Sequence, residues 1–413
     1  MTAPLPLWRQ GDFRRLWAAQ AVSDFGARIT REGLPMMVVM MLAASPAQLG
    51  LLAAVRGVTA LAVGLSAGAF VDRHRRRGIL IASDLGRAIV LIGVPIAAWT
   101  GVLDLAEVFI AAALVAAAST LFDIADHAYL PSLVGREHVT EANAKLGTTE
   151  SIAEMGGPAL AGLLFQWLTA PFAVAVNAAT YLVSAAFLAR IQAVEAPPSR
   201  EPRVRRWFDG VRTGVAAAWE QPAVRPLLLS AAISGVFGGV FSALYIVFAL
   251  RVVGLTPALL GITIAFGGGG ALLGSLIAQP LAKRFGIGPA IIGTALASAA
   301  AAMLIPLAPA GAVPGMSVLI VSQILGDAVG TATLILAVSL RQGLLAPNLL
   351  GRTGAAFQAV AGAAAVAGAL GGGLLGQALG VRAALFIAAA GLAIGPAIAA
   401  FTPLRAQRKI SAA

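Results

Sequence analysis

The first half of this chain returns as its second half. Ser45-Pro46-Ala47-Gln48-Leu49-Gly50 recurs 211 positions on as Thr256-Pro257-Ala258-Leu259-Leu260-Gly261. At the same offset Ala21-Val22-Ser23 becomes Ala232-Ile233-Ser234, and Gly162-Leu163-Leu164 becomes Gly373-Leu374-Leu375. Asp72-Arg73 falls on Lys283-Arg284. An offset held over such a distance requires two copies of one structural unit. The unit is overwhelmingly apolar: 59% of residues are hydrophobic and 11% charged, against about 25% charged in soluble domains. Such a surface belongs in lipid, where helices satisfy their own backbone polar groups.

A membrane helix needs roughly 20 apolar residues. Twelve such spans can be read: 16–42, 48–71, 78–100, 105–130, 147–169, 172–191, 226–251, 256–281, 287–308, 315–341, 353–378 and 381–402. The expected fold is an all-α membrane protein with two pseudo-symmetric six-helix bundles. The bundles are 1–191 and 226–413, joined by a polar linker, 192–225. That linker holds Pro197-Pro198, the basic residues Arg203, Arg205 and Arg206, and a candidate surface helix from Trp207 to Trp219. Met1 to Arg15 is polar and lacks the apolar core of a cleavable signal.

The net charge of +11 is placed by topology rather than by nucleic acid. Arg9, Arg14 and Arg15 precede the first span, and Arg73, Arg75, Arg76 and Arg77 follow the second. Arg136 and Lys145, the linker, Lys283-Arg284, Arg341 with Arg352, and Arg405, Arg408 and Lys409 follow the other even-numbered spans. Odd-numbered connections offer only Arg251 and Arg382. The positive-inside rule then puts both termini in the cytoplasm. Trp17, Trp99 and Trp167 fall near span ends, where indoles prefer the interface. The absence of cysteine excludes disulfides and thiolate metal sites.

Gly68-Ala69-Phe70-Val71-Asp72-Arg73-His74-Arg75-Arg76-Arg77 lies between spans 2 and 3. It resembles the loop motif of the major facilitator superfamily, Gly-x-x-x-Asp-Arg with trailing basic residues, with Arg75 where many members have a second glycine. Phe13-Arg14-Arg15-Leu16-Trp17, Phe122-Asp123, Leu130-Pro131-Ser132-Leu133-Val134, Glu141-Ala142-Asn143-Ala144, Ser339-Leu340-Arg341-Gln342 and Leu350-Gly351-Arg352 are similar to the branch that includes macrolide-efflux and siderophore-export proteins. In span 5, Ala153-x-x-x-Gly157-Pro158-x-x-Ala161-Gly162 resembles the antiporter motif of exporters, with alanine at two of its glycine positions. Span 11 keeps Gly372-Gly373 but has Ala369 in place of the proline. The resemblance implies the superfamily's twelve-helix fold, a multi-pass place in a bacterial inner membrane, and a central cavity lined by spans 1, 4, 7 and 10. It also implies a cytoplasmic gate made by Gly68, Asp72, Arg73, Arg76 and Arg77, with Arg352 at the start of span 11 as partner. The second copy has Lys283 where the first has Asp72, so the gate is asymmetric.

Ionisable groups at membrane depth are costly and usually face a cavity or one another. In span 1, Asp24, Arg28, Arg31 and Glu32 lie within about 100° around the helix. Asp24–Arg28 and Arg28–Glu32 have the spacing of i,i+4 pairs. The superfamily usually has an acid three positions after Asp24, where this chain has Ala27. Span 4 aligns Ser119, Asp123 and His127, with Asp126 alongside, and span 10 aligns Gln323, Asp327 and Thr331. Asp327 is fourteen residues from Arg341, roughly 21 Å along a helix, near mid-membrane. With no neighbouring base on its own helix, it is the first choice for reversible protonation, followed by Glu32, Asp123 and Asp24. Arg28, Arg31, Gln323, Thr331, Ser234 and Tyr245 are the candidate cavity residues. Arg56 is the remaining cation at membrane depth.

No Gly-x-x-x-x-Gly-Lys-[Ser/Thr] motif occurs, and Gly267 to Gly270 falls within an apolar span, where close helix contact or bending explains it better than phosphate. No Ser/His/Asp set or metal cluster marks an enzyme. The leading expectation is a proton-driven exporter of small, fairly apolar molecules such as drugs, macrolides or siderophores. It would work as a monomer in the bilayer, with the proton as coupling ion and no cofactor or metal. A uniporter or importer of a nutrient or lipid is the alternative. A non-transporting sensor or scaffold is the alternative from another class.

Overall fold

The computed structural model describes residues 6–193, 195 and 204–409. Six long helices come first: α1 (Gly11–Met41), α2 (Pro46–Arg73), α3 (Arg76–Thr100), α4 (Leu105–Val134), α5 (Val139–Trp167) and α6 (Ala170–Ala189). The linker contributes α7 (Val204–Glu220). The second copy comprises α8 (Arg225–Val247), α9 (Pro257–Phe285), α10 (Ile287–Leu307), α11 (Ala312–Leu344), α12 (Leu350–Leu379), α13 (Val381–Leu392) and α14 (Ile394–Ala400). No β-strand occurs among the described residues.

Among the described residues, ten helical segments are long and apolar enough to cross a membrane. The remaining two long helices are α1 and α5, whose charged residues lower their hydropathy. The last span is interrupted between α13 and α14, because Pro396 has no N–H to offer the Leu392 carbonyl. α8 runs on into a π turn, Phe248–Val253, which ends at Gly254 with φ 85°.

The repeated hexapeptide is a helix start. The Gln48 backbone N–H donates to Ser45 Oγ at 3.3 Å, and the Ser45 N–H donates to Gln48 Oε1 at 2.8 Å. This reciprocal capping box opens α2. In the second copy Thr256 Oγ1 accepts from the Leu259 N–H at 3.3 Å, with Pro257 in the first turn of α9. Leu259 has no side-chain acceptor to return, so half of the box remains.

Packing repeats along with sequence. α1 packs on α5 and α6, and α3 on α4 and α6; α8 packs on α12 and α13, and α10 on α11 and α13. Small residues permit the closest of these crossings. A Cβ added to Gly368 would run into the Val236 carbonyl, and one on Gly239 into that of Ala365, so α8 and α12 touch backbone to backbone. The glycine run of α9 serves the same purpose, for Gly270 and Gly274 abut the carbonyls of Ile324 and Ala328 on α11.

The chain divides into two units: Met1–Ala43 with Thr59–Arg205, and Ala44–Val58 with Arg206–Ala413. The first turns of α2 therefore group with the second unit, where Gly50 lies against Gly373 of α12. α7 is docked rather than free. Its Gly214 lies on the Arg352 backbone, and Ala218 shares a buried cluster with Val224 and Leu228, against which Leu344 and Phe357 pack.

Candidate functional site

In the first unit, acidic side chains gather where α1 meets α4 and α5. Asp24 stands within the electrostatic reach of Asp123 and Asp126 from α4, Glu150 from α5, and Arg28 from its own helix. The Gln20 side-chain amide donates to Asp126, and His127 Nδ1 lies 2.7 Å from the Asp123 backbone carbonyl. Four carboxylates thus share one field, with Arg28 acting on Asp24 and Arg87 of α3 on Asp123. The i,i+4 pairs suggested by spacing do not form. Arg28 Nη1 bonds Glu154 Oε1 of α5 at 3.2 Å, and Arg31 Nε bonds the adjacent Glu32 at 3.0 Å. Glu32 is buried at 7% exposure. Gly157, from the span-5 motif, is the surface on which Arg28 rests: an added Cβ would stand 2.7 Å from Arg28 Cγ. Absence of a side chain at 157 is therefore what lets Arg28 reach α5. Pro158 and Gly162 are both buried in α5.

A second polar group in this unit escaped the sequence reading. Asp84 and Arg87 of α3 pair with each other, at 0% and 2% exposure. The Arg87 guanidinium lies 4.1 Å from the Tyr181 ring centre and 4.5 Å from that of Phe122, and donates to Ser119 Oγ at 3.4 Å. The signal was present as Asp-x-x-Arg within span 3, at i,i+3 spacing.

In the second unit, Asp327 is half-buried against Gly267 of α9, with Gln323 Nε2 close to the same glycine and Thr331 against Gly274. The Gln323–Asp327–Thr331 stripe therefore runs along the α9–α11 crossing. Tyr245 is half-buried on α8, and Ser234 lines a cavity wholly within this unit.

The loop motif separates into two parts. Arg76 and Arg77 are engaged within the first unit. Their backbone N–H groups donate to Glu195 at 2.7 and 3.3 Å, a carboxylate on the start of α3 as the helix dipole favours. Arg77 Nε also donates to the Leu188 carbonyl at 3.0 Å, tying down the end of α6. Asp72 is half-buried, Gly68 has open space where a Cβ would stand, and Arg73 is exposed. Arg352 lies beside Gly210 and Gly214 of α7. Among the described residues, no group of three His, Cys, Asp or Glu side chains is placed to hold a metal ion.

Known structures share this fold of duplicated helical units. A bacterial homologue of the iron transporter ferroportin, in its inward-facing state, superposes with a TM-score of 0.74 at 16% identity, covering 96% of this chain and 98% of that one. The nucleoside transporter NupG gives 0.75 at 13% identity, over 94% and 98%. A bacterial homologue of the lysosomal transporter Spinster gives 0.70 at 16%, over 95% and 96%. The chain belongs to the major facilitator family described as transmembrane secretion effector, which it matches over residues 2–412. The uncharacterized MFS-type transporter YfiS of Bacillus subtilis (strain 168) is 24% identical over 395 residues, 92% of this chain and 91% of that protein.

Proposed function

We propose that this transporter is a proton-driven exporter of small, fairly apolar molecules such as drugs, macrolides or siderophores. The observation that carries the reading is the gathering of Asp24, Asp123, Asp126 and Glu150 in one field, with more carboxylates than the arginines, Arg28 and Arg87, that act on them. Like charges at membrane depth repel in a poorly screened medium. Uptake of a proton by one of them relieves that repulsion, and its release restores it. A helix pair that moves between two arrangements would couple this exchange to substrate passage. Outward direction is supported by the Gly157–Pro158 motif of α5, now seen beneath Arg28 of the same charge cluster, and by the family description.

The arginine-rich connections support a topology with both termini in the cytoplasm of a bacterial inner membrane. Asp72, Arg73 and Arg352 remain the gate residues in this reading, while Arg76 and Arg77 hold the loop in place. The proton is the coupling ion, with no cofactor, and the working unit is a monomer.

The test is accumulation of candidate substrates in inverted vesicles with an imposed pH gradient. Protonophore should abolish accumulation, and Asp24→Asn should abolish it while permitting downhill flux. Uphill transport that persists with protonophore and follows ATP would overturn the reading.

A further inference from the structure

The second unit encloses a cavity of about 500 Å³ between α8, α10, α11, α12 and α14. That lies within the range of about 300–1,000 Å³ typical of small-molecule sites. Its walls are chiefly apolar, including Leu227, Ile291, Leu334, Ala337 and Pro396. Leu334 is 64% exposed, so the cavity is open beside it rather than sealed.

Arg341 is the one charged side chain on this lining. One face of its guanidinium is covered by Phe357, whose ring centre is 4.7 Å away. Its Nε is buried and has no hydrogen-bond partner among the described residues. Among the described residues no ion pair joins Arg341 to Asp209 or Glu220 of α7, and from Gln221 to the end of the chain Asp327 is the sole acidic residue, fourteen positions from Arg341 on the same helix. That separation is roughly 21 Å, too far for an ion pair. Arg251, Arg382 and Arg408 each donate to a backbone carbonyl of this unit. Arg341 instead faces an apolar cavity with donors to spare.

We propose that this cavity binds a long-chain carboxylate, its acid group on the Arg341 guanidinium and its alkyl chain along the apolar wall. A guanidinium matches a carboxylate through paired N–H donors. One cation with no second base on the lining fits a monoanion rather than a phosphate dianion. The access beside Leu334 admits an amphiphile, and Ser230 and Ser234 offer hydroxyls on α8. The inference goes beyond export: binding is measured without a gradient, so it stands or fails independently of proton coupling.

The experiment uses the full-length protein in lipid nanodiscs and radiolabelled dodecanoate, dodecanol and dodecyltrimethylammonium, with empty nanodiscs as background. Dodecanoate should bind saturably, at least about tenfold more tightly than either of the others, as one charge-assisted contact implies. Arg341→Gln should remove that preference and leave dodecanol unchanged. Arg341→Lys should keep part of it, and Ala337→Phe, which fills the cavity, should abolish binding of all three. Should Arg341→Gln fail to fold, the comparison of the three probes on the unaltered protein decides the matter. Equal binding of dodecanoate and dodecanol, or dodecanoate uptake no greater than by empty nanodiscs, would overturn the proposal.

Discussion

Asp84 and Arg87 are tolerated in the interior of the first unit because each supplies the other's counter-charge. Removing one partner leaves an uncompensated buried charge, at a cost of about 3–5 kcal/mol. Asp84→Asn and Arg87→Gln should each lower the thermal unfolding midpoint of the purified protein sharply. The double change Asp84→Leu with Arg87→Met should recover much of the loss. Single variants that melt with the wild type would show that the pair contributes nothing to stability. Asp327 tests a different property. Asp327→Asn preserves volume, so it should leave yield and melting near wild type, permit downhill exchange and stop proton-driven accumulation. A stable Asp327→Asn protein with normal uphill transport removes Asp327 from coupling and leaves the Asp24 group to carry it. Arg28 shows why residue roles were only partly legible. Spacing placed it on one face of α1 with Asp24 and Glu32, but its ion partner, Glu154, lies 126 positions away. Periodicity describes a face, not what that face meets.

At the scale of elements, the helices were legible because each is a local matter of apolar length and capping chemistry. Ser45 and Thr256 mark helix starts in both copies, and the structure uses both as caps. Where helices come closest was less legible, because α12 carries many glycines and only some meet another backbone. Gly368 abuts the Val236 carbonyl, whereas Gly371 has open space around its missing Cβ. Gly368→Ala should therefore force α8 and α12 apart and cost about 1–3 kcal/mol, while Gly371→Ala should be neutral. Comparing melting midpoints of the two variants checks the crossing. Equal behaviour would mean that the two helices can separate without penalty. The linker helix follows the same logic. Its polar composition suggested a surface element, but Gly214 and Ala218 give it a small-residue face that settles against α12.

At the scale of the whole molecule, an even number of spans returns the chain to the side from which it started. In the proposed topology the basic connections put that side in the cytoplasm. Alkaline phosphatase fused after Lys409 should therefore be inactive in cells, and a fluorescent protein at the same place should be bright; the reverse result would invert the topology. The amino-acid sequence by itself determined the duplicated all-helical architecture. Hydropathy, helix length and a constant repeat offset are properties of neighbouring residues, and lipid leaves a backbone few other solutions. Only the tertiary structure decided what each charge faces: Asp24 the carboxylates of α4 and α5, Arg28 Glu154, Asp84 Arg87, and Arg341 an apolar cavity. The physical reason is that electrostatic partnership depends on distances of a few ångströms. Those distances join residues from separate helices, and side-chain packing sets them only after the helices have formed.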